Sequence, residues 1–248
     1  MKSFWLALQF LTLFRGPKNL QYTAQDFSGS LRWFFLIGLL IGSIQWIFSV
    51  MALKYHCPVP LAAIFVLMIG ILCTGGLHID GVADTADGFG AGTDRESVLR
   101  IMKDDRIGVY GITAIFLNLF LKIIALFYVL NSKNLIVIMI SPMLSRAFLT
   151  ATCTILPYAR KEGTGKAFSE GSFIKHAFPS LLLSGAICCY LLRIPGLLIF
   201  AFVAGVSLFF SLYCYFKIKG FTGDTLGAQN EIAEITALLA GAFHLVML

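Results

Sequence analysis

Residues 75–111 read GGLHIDGVADTADGFGAGTDRESVLRIMKDDRIGVYG. Seven of the chain's 13 acidic residues fall between Asp80 and Asp105. Asp80, Asp84 and Asp87 recur at i, i+4 and i+7, which on a helix puts three carboxylates on one face. Like charges stacked this way repel unless a cation sits among them. A hard divalent ion with oxygen ligands is the natural partner, and Mg2+ bridging to a phosphorylated substrate is the commonest form. The competing interpretation is a solvated acidic face. Such faces usually interleave Lys with the acids, whereas this run has no base before Arg95. The surrounding glycines allow close backbone approach to a bulky ligand.

A second group of oxygen ligands, Asp224, Asn230, Glu231 and Glu234, lies in GFTGDTLGAQNEIAEITALLAG. Asn230 and Glu234 share a helical face. The pair of clusters suggests two metals, or one metal plus a general base. The plainer alternative is acids at a helix N-terminus, where the dipole favours them; it suits Glu231 better than Asp224. Basic residues stand ready for phosphate oxygens: Lys103 and Arg106 beside the first acidic run, Arg160 and Lys166 in LPYARKEGTGKAFSEGSFIKH, and Arg146 inside an apolar stretch. An Arg in lipid is costly, so Arg146 must face the bundle interior, paired with an acid or lining a cavity that reaches the site. Neither a P-loop nor a dinucleotide fingerprint is present: Ala167 follows Lys166, Arg160 stands where the first P-loop glycine belongs, and Gly88-Phe89-Gly90-Ala91-Gly92 has the wrong spacing.

These residues must be held by a very apolar chain. It has 248 residues, is 58% hydrophobic and only 13% charged, against about a quarter charged in ordinary soluble domains; its mean hydropathy is +0.85. The expected fold class is all-α: a polytopic integral membrane helical bundle of about seven transmembrane helices with its N-terminus inside. The chain reads as one domain, 1–248, with cytoplasmic catalytic loops 80–107, 156–176 and 217–230. The apolar runs fall at about 31–52, 59–79, 108–130, 134–155, 177–193, 194–217 and 231–248, and most approach the ~20 residues a crossing needs. Arg193-Ile194-Pro195-Gly196 marks a tight turn between two helices. Residues 3–14 are apolar but too short to span, and read as an interfacial or packed helix rather than a signal peptide. Gly38 and Gly42 form a GxxxG pair of the kind that brings helices close. The six cysteines form no CxxC and read as small buried hydrophobes, though Cys57 near an outer turn has Cys188 and Cys189 as conceivable partners.

Alternating seven spans from an inside N-terminus places 14 of the 19 Lys and Arg inside, three outside, and Lys122 and Arg146 within spans. The acidic residues fall inside as well. The polar chemistry therefore faces the cytoplasm at the cell (inner) membrane, and the net charge of +6 reflects topology with no call for nucleic acid.

The block from Gly75 to Gly88 resembles the signature of the cobalamin synthase family, the adenosylcobinamide-GDP ribazoletransferases. So do Ile101-Met102-Lys103-Asp104-Asp105-Arg106-Ile107-Gly108, Ser145-Arg146, Tyr158-Ala159-Arg160 through Gly165, and Gly223-Asp224-Thr225-Leu226-Gly227-Ala228 with Asn230-Glu231. Phe10-Leu11-Thr12 and the stretch from Arg32 to Gly38 extend the likeness over nearly the whole chain; Asp105, where a small residue is expected, is a minor departure. The resemblance implies a membrane transferase of late vitamin B12 assembly that joins adenosylcobinamide-GDP to alpha-ribazole, or its 5'-phosphate, and releases GMP. Its partners would be those small molecules and the lipid bilayer, with a homo-oligomer left open. The expected roles are Asp80, Asp84 and Asp87 as Mg2+ ligands, Asp224 or Glu231 completing the metal site or taking the hydroxyl proton, and Arg106, Arg146, Arg160, Lys103, Lys166 and Asn230 binding substrate.

Two other classes compete. A CDP-alcohol phosphotransferase or an intramembrane prenyltransferase also places aspartates at the mouth of a helical bundle, but the CDP-alcohol pattern DGxxAR fails here, since Asp84 follows Asp80-Gly81-Val82-Ala83 where the pattern needs Arg one position later. A divalent-cation transporter would want acids inside its spans or on both faces.

Overall fold

The computed structural model describes residues 1–17 and 20–244. Lys18, counted among the inside charges, and the last residues of the expected 231–248 span lie outside the described residues. Among those described, the secondary structure is helical. The helices are α1 (Lys2–Leu11), α2 (Ala24–Ser30), α3 (Phe34–Lys54), α4 (Val59–Thr74), α5 (Leu77–Ala91), α6 (Arg95–Ile101), α7 (Val109–Asn131), α8 (Ile136–Ile155), α9 (Phe178–Ile218) and α10 (Gly223–His244), with short 3-10 and π turns between some of them.

The bundle is organised around α8, whose residues from Ser141 to Cys153 are all buried. α3, α9 and α10 surround it. The GxxxG pair of α3 works as its spacing suggests: a Cβ at Gly38 or Gly42 would collide with the carbonyls of Pro142 or Met139 on α8. Pro142 lies inside α8 and cannot donate to Ile138 O; the neighbouring Ser141 hydroxyl bonds that carbonyl instead, at 3.4 Å. α1 is a packed helix, with Ala7 and Leu11 fully buried against α3, Phe168 and Phe221. All six cysteines are free thiols.

α9 turns back on itself at Arg193, whose φ of 55° and ψ of −134° leave the helical region. The ring of Phe200 comes within 3.6 Å of the Cβ position of Gly185, and Gly196 packs on the Cys188 carbonyl. Residues fifteen apart cannot meet along a straight helix, so the two halves form the hairpin expected at 193–196.

Helices occupy each of the expected apolar runs. By length and composition, however, four helical stretches qualify as membrane crossings by themselves, and a fifth only if α4 and α5 are taken together. The count of seven is thus not established. Two boundaries also differ from expectation. The 59–79 run does not continue straight into the acidic stretch. It breaks at Gly75 and Gly76, both left-handed (φ 64° and 76°), and α5 departs from α4 at 89°. Two consecutive left-handed residues end a helix, and glycine adopts that conformation at no steric cost. α10, in turn, begins at Gly223, two turns earlier than the 217–230 loop allowed. The reciprocal bonds of Thr222 and Thr225, each hydroxyl accepting the other's backbone N–H at 3.2 and 2.8 Å, start the helix there.

Candidate functional site

The sharp bend lays α5 across one end of the bundle, where it crosses α10 through two residues without side chains. A Cβ at Gly81 would strike the Asp224 carbonyl, and the Gly81 and Gly227 backbones are in direct contact. This crossing brings Asp84 of α5 beside Asp224 of α10, residues far apart in sequence. A second device places Arg160. Phe221 and the 157–159 segment pair as a parallel bridge, with Ala159 N donating to Phe221 O at 2.8 Å and Phe221 N to Pro157 O at 3.0 Å. Arg160 follows directly, and its Nη2 donates to Asp224 Oδ2 at 2.7 Å. Arg95 ties this corner to α6, bonding the carbonyls of Ile218 and Ala159 at 2.9 and 2.7 Å. The sequence shows Arg95 only as one more inside charge.

These elements border an open cleft of about 1060 Å³, larger than most small-molecule pockets. Asp80, Asp84 and Arg160 line one wall, Lys103 to Ile107 another, and Gln9, Phe10, Thr12 and Leu13 of the α1 end a third. Burial, then Asp224, then Asp80 push the Asp84 carboxyl up to about 7, with Arg160 opposing. Burial is the largest of these causes, and the neighbouring carboxylates add to it. Among the described residues no three His, Cys, Asp or Glu side chains are gathered closely enough to hold a metal ion; Asp224 is turned to Arg160.

Asp87 does not join the other two aspartates. Its carboxylate accepts from the backbone N–H groups of Gly108 (2.7 Å) and Gly111 (2.9 Å), at the N-terminus of α7. Unpaired amides there attract an acid, and the absence of side chains at 108 and 111 lets it in. The one-face argument from i, i+4, i+7 spacing could not see this partner, because it arrives from another helix.

The second acidic cluster divides likewise. Asp224 reaches the mouth, whereas Asn230, Glu231 and Glu234 lie inside the bundle and are 0%, 5% and 7% exposed. Glu231 accepts from Lys122 (2.7 Å) and Asn118 (2.9 Å) of α7. Glu234 pairs with Lys122 at 2.7 Å and with Arg146 of α8, and accepts from Asn230 at 3.2 Å. Arg146 is therefore held by an acid and is 1% exposed. The structure thus places Glu231, Arg146 and Asn230 inside the bundle, outside the lining of the open cleft. A narrow cavity of about 20 Å³, room for a single water, touches Lys122, Arg146, Glu231 and Glu234; Ile71, Thr74 and Ile79 line both it and the cleft. Lys122 was passed over as a site residue, yet a lysine in the middle of an apolar helix is itself a signal for a buried acid partner.

Of the remaining cations, Lys103 and Arg106 line the cleft. Arg106 is largely in solvent and forks onto Asp104 at 2.8 Å. Lys166 lies exposed on the turn Thr164–Phe168, bonded to Lys161 O at 3.3 Å and away from the cleft lining. His78 is buried and does not line the cleft.

Comparison with known proteins agrees with the motifs. A family model described as cobalamin-5-phosphate synthase matches residues 3–242. A relative from Chlorobium phaeobacteroides is 38% identical over 248 residues, covering 98% of each chain. One from Syntrophobacter fumaroxidans is 37% identical over 244 residues (96% of this chain, 97% of the relative), and one from Clostridium tetani is 35% identical over 246 residues (96% and 94%). All three are named adenosylcobinamide-GDP ribazoletransferase. No solved structure matches. With a family model covering nearly the whole chain and relatives above a third identical along their length, this chain belongs to the cobalamin-5-phosphate synthase family.

Proposed function

We propose that this chain is an adenosylcobinamide-GDP ribazoletransferase, acting late in cobalamin synthesis. A hydroxyl of alpha-ribazole, or of its 5'-phosphate, attacks the phosphorus attached to cobinamide. A new P–O ester forms, the P–O bond to GMP breaks with its electron pair, and the hydroxyl proton is released. The observation that carries this reading is the cleft: an open space of about 1060 Å³ whose lining includes the carboxylates Asp80 and Asp84 together with the Arg160 guanidinium. Family membership and the names of the relatives supply the substrates.

Asp80, Asp84 and Asp224 carry oxygen donors of the kind a hard divalent cation takes, and burial, with Asp224 and Asp80 adding to it, raises Asp84; among the described residues they are not gathered around one point. Asp80 and Asp84 would hold Mg2+, with Asp224 either completing the site or taking the hydroxyl proton; the ion when bound supplies charge neutralisation on the diphosphate. We leave Asp87 out of the set because its carboxylate already accepts from the Gly108 and Gly111 amides. Arg160, Lys103 and Arg106 face the cleft and are suited to bind phosphate oxygens. For the proton we prefer Asp224 to Glu231, because both side-chain partners of Glu231 come from inside the bundle. The 14-to-3 distribution of basic residues supports a cleft that opens to the cytoplasm at the inner membrane, with lipid around the bundle.

Purified protein in detergent, given adenosylcobinamide-GDP, alpha-ribazole and Mg2+, is expected to release GMP and form the joined corrinoid. EDTA should stop the reaction and added Mg2+ restore it. GMP release that ignores EDTA would remove the metal from the scheme; no product under any condition would remove the assignment. Alkaline phosphatase fused after residue 248 should be active in the periplasm of a bacterial host, and a silent fusion would mean the crossings are miscounted.

A further inference from the structure

We propose that the groove between the second half of α9 and α10 binds one anionic phospholipid, with an acyl chain laid along α10 and the phosphate at Lys217. Two apolar pockets lie end to end there. One, of about 450 Å³, is lined by Pro195, Ile199 and Phe202 of α9 and by Leu239, Ala240 and Phe243 of α10. The other, of about 410 Å³, is lined by Ala228 and Ile232 of α10, Leu121 of α7, Phe210 of α9, and Thr85 and Phe89 of α5. Thr236 lines both, and its hydroxyl is turned back to Ile232 O at 2.8 Å, so the junction is apolar. Ala228, Ile232, Thr236, Ala240 and Phe243 share one face of α10. From Ala228 to Phe243 the helix rises ~22 Å, room for one extended acyl chain. Neither pocket shares a lining residue with the charged cleft.

Three observations select this occupant. The α5 end of the groove leads to a cation. Phe89 packs edge-on against Tyr213 with ring centroids 5.3 Å apart, and Lys217 Nζ lies 5.8 Å from the same Tyr213 ring. Phe210, Tyr213 and Lys217 follow one face of α9. Lys219 stands over Tyr215 in the same manner, at 5.6 Å; Tyr and Lys together mark the headgroup level of a membrane span. The charge is also available: among the described residues Lys217 makes no salt bridge. A lysine at that level beside an apolar groove suits an anionic headgroup. Lastly, α5 closes the groove at Thr85 and Phe89. A spanning helix of another chain would run into it, whereas an acyl chain enters sideways from the bilayer. Thr85 adds a buried hydroxyl with no partner, a group that an ester carbonyl would satisfy.

The test adds dioleoylphosphatidylglycerol or dioleoylphosphatidylcholine to full-length protein in detergent. Native mass spectrometry reads the lipid retained, and thermal melting reads the stabilisation. Phosphatidylglycerol should stay bound and raise the melting temperature. Phosphatidylcholine should bind about fivefold more weakly, the scale of one lysine acting on an anionic lipid. Lys217→Gln should erase that preference. Thr236→Phe, which fills the junction of the two pockets, should weaken both lipids, and inorganic phosphate should shift nothing. Lys217→Gln carries the test by itself if Thr236→Phe does not fold. A preference that survives Lys217→Gln, undiminished binding in a normally melting Thr236→Phe, or a shift reproduced by phosphate would overturn the site. A dimer that Thr236→Phe dissociates would give the groove to a second copy and overturn it equally.

Discussion

Two groups of charges sit on α10, and they are balanced differently. The deep group sets Glu231 and Glu234 against Lys122 and Arg146, two negative and two positive, with Asn118 and Asn230 adding hydrogen bonds. The group at the mouth, Asp80, Asp84 and Asp224, has one ion pair among the described residues, Arg160 with Asp224, while Lys103 and Arg106 line the cleft without bonding these acids. The first is electrically closed and shut away from water; the second is only partly paired and opens onto a large cleft. A balanced buried cluster holds helices in register, and breaking it by halves is expensive. An unbalanced, accessible cluster is where a cationic ligand gains most. Acidic residues about two to three turns apart on a single helix thus serve different ends according to depth.

The sharpest way to break this contrast is to unbalance the deep group. Lys122→Met leaves two buried glutamates facing Arg146, and the fold should lose about 3–5 kcal/mol, seen as a lower melting temperature and poor yield in detergent. Adding Glu231→Gln removes the stranded charge and should recover much of the loss. A single variant that melts like the unsubstituted protein would show that the cluster is not a closed unit.

At the mouth the expectation reverses. Asp84→Asn should lower turnover by at least ~100-fold, the scale of lost metal or oxyanion stabilisation elsewhere, without lowering the melting temperature, since it relieves repulsion. Turnover close to normal would take Asp84 out of the chemistry.

Asp87 separates the two behaviours within α5. Asp87→Asn offers one acceptor to two amides at the start of α7, which should cost about 0.5–2 kcal/mol of stability, as lost helix caps do. Turnover per folded molecule should stay within a few-fold. A 100-fold fall with unchanged melting would return Asp87 to the Asp84 group. The smallest effect belongs to Arg106, exposed and paired with Asp104. Arg106→Ala should raise KM a few-fold at low salt, leave kcat unchanged, and differ less from the parent at high salt; a KM unchanged at low salt would remove Arg106 from substrate binding.

The helical bundle, the packing role of Gly38 and Gly42 and the hairpin at Arg193 were legible because each depends on local pattern: apolar length, small-residue spacing, or a Pro-Gly break. Asp80 and Asp84, which line the cleft, stand out in the sequence because acids without nearby bases are conspicuous in an apolar chain. What remained hidden came from partners distant in sequence. Nothing local to Asp87 announces the amides of Gly108 and Gly111, and nothing local to Glu231 announces Lys122. The depth of Glu231 and Glu234 also followed from one boundary. Thr222 with Thr225 is a capping pair in the sequence, and taking it as a helix start would have moved α10 inward and its later acids below the surface.

The break at Gly75 and Gly76 also sets the direction from which the acids approach. α4 has 16 residues before the break, a rise of ~24 Å. The chain then turns through 89°, so α5 runs across the end of the bundle instead of extending the axis of α4. Lying crosswise, it presents Asp80 and Asp84, one turn apart, to the same cleft; a straight continuation of α4 would have carried them away from the bundle one after the other.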